Sequence, residues 1–327
     1  MALLLLLTRT ELERLLDVER VIDACAAAFA AYSGGRTETP LRVGVEPPGA
    51  NGVLLAMPCA VADPPALGTK VVSVFRDNPA RGLPTIASVY LLSDYDTGVP
   101  LCVMDGTYLT GLRTAAGSAV ATRHLARPDA RTLGVFGTGV QARFHVDAIR
   151  RVRPIERVVV AGTSRAKAEG FARWVQEATG LAARPAAARD VSAADVVATC
   201  TTSPTPVVDA GRVRPGAHLN AVGAFTPTAR ELPTALMTRA RVYVDTRAGA
   251  CAEAGDLLIP VREGALALEA IVGELGEVLL GRAPGRQAPT DITVYKSVGA
   301  AFLDAATARL AYQQALAAGV GAPFTFA

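Results

Sequence analysis

Two features of this sequence could do chemistry: a glycine loop framed by apolar runs, and a few cations set among apolar or small neighbours. The loop is Gly137-Thr138-Gly139-Val140-Gln141-Ala142, directly after the run Thr132-Leu133-Gly134-Val135-Phe136. A helical stretch from Arg143 to Arg151 follows, then a second apolar run, Arg157-Val158-Val159-Val160-Ala161. In such a frame Gly137 suits a tight turn and Gly139 lets backbone approach a pyrophosphate. The small side chain of Ala142 lets helix pack on strand. The helix N-terminus adds unpaired N–H groups and the positive end of its dipole. Alone the glycine pattern is weak; between strand, helix and strand it predicts a dinucleotide site.

The end of the second run bears on which dinucleotide. NAD sites usually place an acid there to hold the ribose hydroxyls. Here the residues are Gly162-Thr163-Ser164-Arg165, and the first acid is Glu169. Two hydroxyls and a guanidinium suit a 2′-phosphate. NADPH is therefore favoured over NADH, which stays open as the second cofactor. Lys70 sits in the apolar run Lys70–Phe75, where an unpaired ammonium is costly. Either an anionic ligand or a buried carboxylate would satisfy it. Arg113, before a small-residue helix, carries the same two readings. His124, His145 and His218 lie at a helix end, inside the cofactor helix and before a strand; each suits a structural role.

These residues need elements to place them. Thr10 and Glu13 form a capping-box pattern ahead of Leu15, Leu16, Val21, Ile22, Ala26 and Phe29, which predicts a helix closed by Gly34-Gly35. Short apolar runs at Val53–Met57, Lys70–Phe75, Thr85–Leu92 and Pro100–Met104, separated by Pro, Gly and Asp, predict an antiparallel sheet. Leu109 to Leu125 reads as a helix. From Thr132 onward strands alternate with helices, the pattern of a parallel α/β sheet. Ser297 to Ala318 predicts a last, alanine-rich helix.

At 327 residues, half of them apolar, the chain is long enough for two domains. Its longest apolar start, Ala2 to Leu7, is too short for a membrane span and lacks the basic flank of a signal peptide; it reads as a strand. The net charge of +3 is small. Arg150, Arg151 and Arg153 are placed to complement a helix end, so neither nucleic acid nor membrane is an expected partner. The cysteines, Cys25, Cys59, Cys102, Cys200 and Cys251, are odd in number and form no CxxC pair. No metal site or disulfide framework is indicated, and a reducing, cytoplasmic setting is expected.

Taken together, the motifs resemble the ornithine cyclodeaminase/mu-crystallin family. The resemblance runs through Pro40-Leu41-Arg42, Gly68-Thr69-Lys70-Val71-Val72 and Leu112-Arg113-Thr114-Ala115-Ala116-Gly117-Ser118-Ala119, then the glycine loop. It continues in Thr201-Thr202-Ser203-Pro204-Thr205-Pro206, Val222-Gly223-Ala224-Phe225-Thr226-Pro227 with Arg230-Glu231-Leu232, and Thr293-Val294-Tyr295-Lys296-Ser297-Val298-Gly299. It implies an α/β fold in which a Rossmann-type domain, residues 118–300, is inserted in an α+β domain formed by residues 1–117 and 301–327. That second domain would bind substrate and form a homodimer.

The resemblance also implies roles for single residues. Lys70 and Arg113 would be catalytic. Arg42, Met57, Lys70, Arg113, Phe225 and Gly299 would line the substrate. Gly137 to Ala142, Thr163, Ser164, Arg165, Thr201, Thr202, Val222, Gly223 and Ser297 would hold the cofactor. One departure is informative. Cyclodeaminases carry an aspartate six residues before the Glu231-Leu232 pair, and here that position is Phe225, which cannot anchor an ammonium. The stretch looks most like that of reductases of Δ1-pyrroline-2-carboxylate, some of which also take the six-membered Δ1-piperideine-2-carboxylate. A cyclodeaminase-type lyase, an alanine or N-alkyl amino acid dehydrogenase and a non-catalytic crystallin-like binding protein remain the alternatives.

Overall fold

A computed structural model describes residues 4–325. The chain divides into two compact units, one of residues up to Arg113 together with those from Ala300 onward, the other Thr114–Gly299.

In the first unit, strand β1 (Leu4–Leu7) leads into helices α1 (Arg9–Leu15) and α2 (Val18–Ser33). The predicted strand at Ala2–Leu7 is thus seen over Leu4–Leu7, its first two residues lying outside those described. The single helix expected here is two helices, and the caps show why. Thr8, not Thr10, forms the box: its hydroxyl accepts from the Glu11 N–H at 3.4 Å, and the Glu11 carboxylate accepts from the Thr8 N–H at 2.7 Å. The Asp17 carboxylate then accepts from the N–H groups of Glu19 and Arg20 at 3.0 and 3.1 Å, so the run restarts there.

Short strands β2 (Thr37–Glu38) and β3 (Val43–Val45) precede the long hairpin of β4 (Gly52–Ala62) and β5 (Pro65–Phe75). Strands β6 (Ile86–Ser93) and β7 (Pro100–Asp105) follow, then α3 (Gly106–Leu125), within which the first unit ends. The sheet runs β16-β1-β7-β6-β5-β4-β2, with β3 also on β4; β16 (Ala322–Phe324) comes from the far end of the chain. Side chains alternate between its faces. In register, Met57, Lys70, Tyr90 and Met104 form one buried row, while Ala56, Val71 and Val89 form a row on the other face.

The second unit is a parallel sheet. Its elements are β8 (Thr132–Phe136), α4 (Val140–Arg150), β9 (Arg157–Ala161), α5 (Arg165–Thr179), β10 (Ala182–Pro185), α6 (Ala188–Val191), β11 (Val196–Thr199) and β12 (His218–Ala221). They continue as α7 (Thr234–Met237), β13 (Arg241–Val244), α8 (Arg247–Glu253), α9 (Gly255–Arg262), β14 (Ile271–Glu274), α10 (Leu275–Leu279) and β15 (Thr293–Lys296). The strand order is β10-β9-β8-β11-β12-β15-β13-β14, and every pairing is parallel. From β8 the chain winds outward through β9 and β10, then returns to β11 on the other side. That reversal is the switch point where open α/β sheets bind dinucleotides. Both faces are covered by apolar clusters, which is why β11 is buried at every residue.

The last helix, α11 (Ala301–Ala318), belongs to the first unit and packs with α2 on the row containing Lys70. It starts later than its composition predicts because Asp245 captures the chain ahead of it. One Asp245 oxygen accepts from the Ser297 hydroxyl and from the N–H groups of Val298 and Gly299, each at 2.8 Å. Among the described residues no helix is long and apolar enough to cross a membrane.

Candidate functional site

The alternation of β5 turns Lys70 inward, between Met57 and Tyr90, and α11 carries Asp304 to meet it. Lys70 Nζ lies 2.8 Å from Asp304 Oδ2, and Arg113 Nε, from α3, lies 2.9 Å from Asp304 Oδ1. All three side chains are within a few per cent of complete burial. Of the two readings open for Lys70, the buried carboxylate is therefore realised, although it does not exhaust the site. Two cations share one anion, which leaves a surplus positive charge. Arg113 Nη1 is buried with no hydrogen-bond partner, and so is the Tyr90 hydroxyl. A buried charged donor left unsatisfied costs at least ~1–3 kcal/mol, so the arrangement calls for an acceptor, and an anion best of all.

Burial pushes the Lys70 ammonium pKa down to about 7, with the positive charges of Arg113 and Arg42 adding to the fall and Asp304 opposing it. Asp304 shows the opposite balance. Burial disfavours its charged form, but Arg113 and Lys70 outweigh that and hold its pKa below the usual carboxylate value. Lys70 is thus able to gain and lose a proton near neutrality beside a fixed carboxylate. Arg42, half-buried just before β3, belongs to the same electrostatic neighbourhood, and Met57 is the direct cross-strand neighbour of Lys70.

The other two residues expected to line the substrate lie in the second unit. Phe225 is partly buried against that unit's apolar core, and Gly299 is held by Asp245 with φ at 90°.

The glycine loop joins β8 to α4 at the switch point. Gly137 has φ 103°, and a Cβ there would stand 2.5 Å from the Cys200 carbonyl oxygen, so only glycine fits. At Gly139, the residue capping α4, a Cβ would meet nothing within 4 Å, and no side chain bonds the helix end. Backbone N–H groups there face open space, as a bound pyrophosphate requires. Val140 is exposed at the helix start, while Ala142 is fully buried against the sheet.

Past β9, Gly162, Ser164 and Arg165 line a cleft of about 430 Å³ with Ala168 and Pro185–Ala187. Thr163 is exposed in the same turn. The Ser164 hydroxyl caps α5, and the Arg165 guanidinium, 87 % exposed, pairs with Glu169 at 2.8 Å. A second cleft, of about 420 Å³, opens at the other end of the sheet, near the first residues of β8, β9 and β10. It is remote from the glycine loop and from the carboxyl ends of the strands.

The polar groups expected to hold the cofactor on the β11 and β12 side turn inward. The Thr201 N–H and hydroxyl and the Gly223 N–H donate to Glu231, while the Ser297 hydroxyl donates to Asp245. Thr202 and Val222 sit in the same two loops, half-buried or exposed.

His145 and His218 are structural, while His124 is exposed near the end of α3. Burial lowers His145 to about 4 and His218 to about 3, and each ring nitrogen of both has a protein partner. The arginine cluster also divides. Arg150 pairs with Asp147, whereas Arg153 donates to the carbonyls of Arg123 and Ala126 at the end of α3. Asp304, Glu231 and Asp256 are the functional candidates that the sequence reading missed. The available signal was one aspartate, Asp304, in a helix otherwise rich in alanine.

The profile of the ornithine cyclodeaminase/mu-crystallin family matches residues 4–319. The chain belongs to this family. A Δ1-pyrroline-2-carboxylate reductase of Bacillus cereus is 39 % identical over 326 residues, covering 99 % of this chain and all of the relative. Among solved structures, the Thermococcus litoralis Δ1-pyrroline-2-carboxylate reductase in complex with NADH and L-proline aligns with a TM-score of 0.95 at 39 % identity. It covers 97 % of this chain and 99 % of its own. An archaeal alanine dehydrogenase dimer with bound NAD aligns with a TM-score of 0.94 at 34 % identity, over 99 % of this chain and 100 % of its own. The family's fold is the one seen here, a parallel Rossmann-type unit with a mostly antiparallel one, in which only the β1–β7 pairing is parallel among the described strands.

The ion triad should dominate the stability of its unit. Asp304→Ala strands two buried cations and should cost about 3–5 kcal/mol in chemical denaturation. Glu13→Ala, which removes the exposed Arg9 pair, should be close to neutral. Equal effects from the two would contradict the burial argument.

Proposed function

We propose that this chain is an NAD(P)H-dependent reductase of a cyclic α-imino acid, with Δ1-pyrroline-2-carboxylate going to L-proline as the leading reaction. Δ1-Piperideine-2-carboxylate going to L-pipecolate is the six-membered counterpart. The observation that carries this reading is the Lys70–Asp304–Arg113 triad, whose surplus charge and unpartnered Arg113 Nη1 suit a substrate carboxylate. The B. cereus relative carries that reductase's name, and the T. litoralis enzyme was solved with NADH and L-proline.

A bound reduced nicotinamide supplies hydride from C4 to the imine carbon bearing the carboxylate. This chain's residues do the rest. Arg113 and Arg42 hold the carboxylate, and Met57 lines the ring. Lys70 delivers the proton that the imine nitrogen gains as C=N becomes CH–NH. Asp304 keeps Lys70 charged and aligned. The glycine loop and the start of α4 hold the pyrophosphate, and holding both reactants in place accounts for much of the rate, ~7–11 kcal/mol in favourable cases.

NADPH is the favoured cofactor. Arg165 is free to reorient, since an exposed i,i+4 pair such as Arg165–Glu169 is weak and a 2′-phosphate outcompetes it. Phe225, standing where cyclodeaminases carry aspartate, disfavours the lyase. The enzyme works as a homodimer through the outer sheet face of the first unit, where Val43, Val45, Leu54 and Val89 are 43–64 % exposed. The dimeric alanine dehydrogenase supports this. All five cysteines are free, which suits the cytoplasm.

The direct test is oxidation of NADPH and NADH against cyclic imino acids, with L-ornithine and L-alanine as controls. The pyrroline should be reduced, more efficiently with NADPH, and no ammonia should leave ornithine. Arg113→Ala should lower kcat/KM by about two orders of magnitude or more with cofactor affinity near intact. Ammonia release from ornithine without net NADPH consumption would overturn the reading.

The pH dependence tests Lys70. Its proton is present below about pH 7 and lost above it, so kcat/KM for reduction should fall as pH rises through that value. Lys70→Arg keeps the charge but does not titrate near neutrality. It should be slower yet lose that limb, and an unchanged limb would assign the titration to the substrate instead.

A further inference from the structure

Glu231 lies in the loop between β12 and α7, fully buried, and the proposed reaction gives it no chemical task. Its carboxylate collects five hydrogen bonds. Oε1 accepts from the Thr201 N–H at 2.8 Å and the Thr201 hydroxyl at 2.7 Å. Oε2 accepts from the Thr199 hydroxyl and the Gly223 N–H, both at 2.7 Å, and from the Ala224 N–H at 3.3 Å. Those donors are the last residue of β11, Thr199, and residues of the loops that leave the carboxyl ends of the neighbouring strands β11 and β12. The loops abut so closely that a Cβ on Gly223 would stand 2.2 Å from the Thr201 carbonyl oxygen. Beside Thr201, the Cys200 carbonyl is the atom against which Gly137 makes its turn. The same carboxylate therefore ties together both loops and, through Cys200, the glycine loop.

Glu231 is itself held in place. Asp256, on α9, accepts from the N–H groups of Glu231 and Leu232, each at 2.8 Å, and pairs with Lys296 at 2.9 Å; Lys296 also donates to the Ala224 carbonyl. Two buried carboxylates stand near one ammonium, Lys296, which pairs with Asp256 and acts on Glu231 only through its field, so with both acids ionised the cluster carries a net negative charge. Burial, with Asp256 adding, raises the pKa of Glu231. An unbalanced buried charge is a costly way to fasten two loops, and neutral side chains would make a cheaper tie.

In a sheet wound this way a dinucleotide crosses the switch point, with its adenosine half on the β9 side and its nicotinamide half on the side of β11 and β12. Resting on the dinucleotide reading above, we infer that Glu231 is a positioning residue for the nicotinamide half of the cofactor. It fixes the loops after β11 and β12 in the shape that receives that half, and the adenosine subsite past β9 does not depend on it.

The test compares Glu231→Gln with the wild type in titrations of NADH, followed by its fluorescence, and of ADP, followed by calorimetry. The amide keeps size and shape, but one of its edges must face N–H or O–H donors without accepting from them. NADH affinity should fall about tenfold or more, the loss expected for charge-assisted bonds, with ADP affinity within about twofold. Thr199→Val, which deletes one of the five bonds at a buried residue that ends β11 and is not among those expected to touch the cofactor, should weaken NADH severalfold with ADP again unchanged. It keeps the test decisive should the glutamine variant fail to fold. NADH binding at wild-type strength in a folded variant, or equal losses for NADH and ADP, would overturn the inference. A wild-type protein that binds neither NADH nor NADPH would instead overturn the dinucleotide reading on which it rests.

Discussion

A single carboxylate, Asp304, makes the chemistry of the first unit physically tolerable. Lys70 and Arg113 are two like charges placed where water does not reach, and without an anion between them neither would stay both buried and charged. One anion for two cations leaves a surplus, and on the proposed reading that imbalance is what suits the triad to hold a substrate carboxylate. A second acid would have silenced it. The same balance brings the lysine pKa close to neutral, because burial and Arg113 pull it down while Asp304 limits the fall.

The second unit repeats the device with the sign reversed. Glu231, Asp256 and Asp245 are buried acids whose bonds go chiefly to backbone N–H groups of irregular segments at the carboxyl ends of strands. Such segments leave many donors without a ladder to join, and each donor needs an acceptor. A carboxylate serves several at once from one side chain. The glycines do the complementary work: at Gly137 and Gly223 a Cβ would collide with backbone, so the loops can close on one another and the acids can reach.

What the sequence made legible follows from this. The glycine loop was readable because its demands are local: turn, close approach and helix packing fall within six consecutive residues. The hairpin strands were readable because alternation is local too. Asp304 was not, since it lies 234 residues from Lys70 and 191 from Arg113, and nothing near it in the chain asks for a charge. The misplaced capping box shows the same limit at short range: Thr8 and Glu11 serve as well as Thr10 and Glu13 in type and spacing, and only the backbone decides. The late start of α11 depends on Asp245, more than fifty residues earlier, so composition alone ran the helix too far back. The resemblance supplied Arg113 and Lys70 as a pair, but the acid between them came only from the fold.

The proposed chemistry depends on where the surplus charge of the triad goes. The most direct measurement is a crystal structure with NADPH and pyrrole-2-carboxylate, a planar, unreactive analogue of the imino acid. If the triad holds the substrate, a carboxylate oxygen lies within hydrogen-bond distance of Arg113 Nη1, about 3 Å, with Asp304 still bridging Lys70 and Arg113. A carboxylate bound elsewhere, with Arg113 Nη1 satisfied by a protein group, would contradict it.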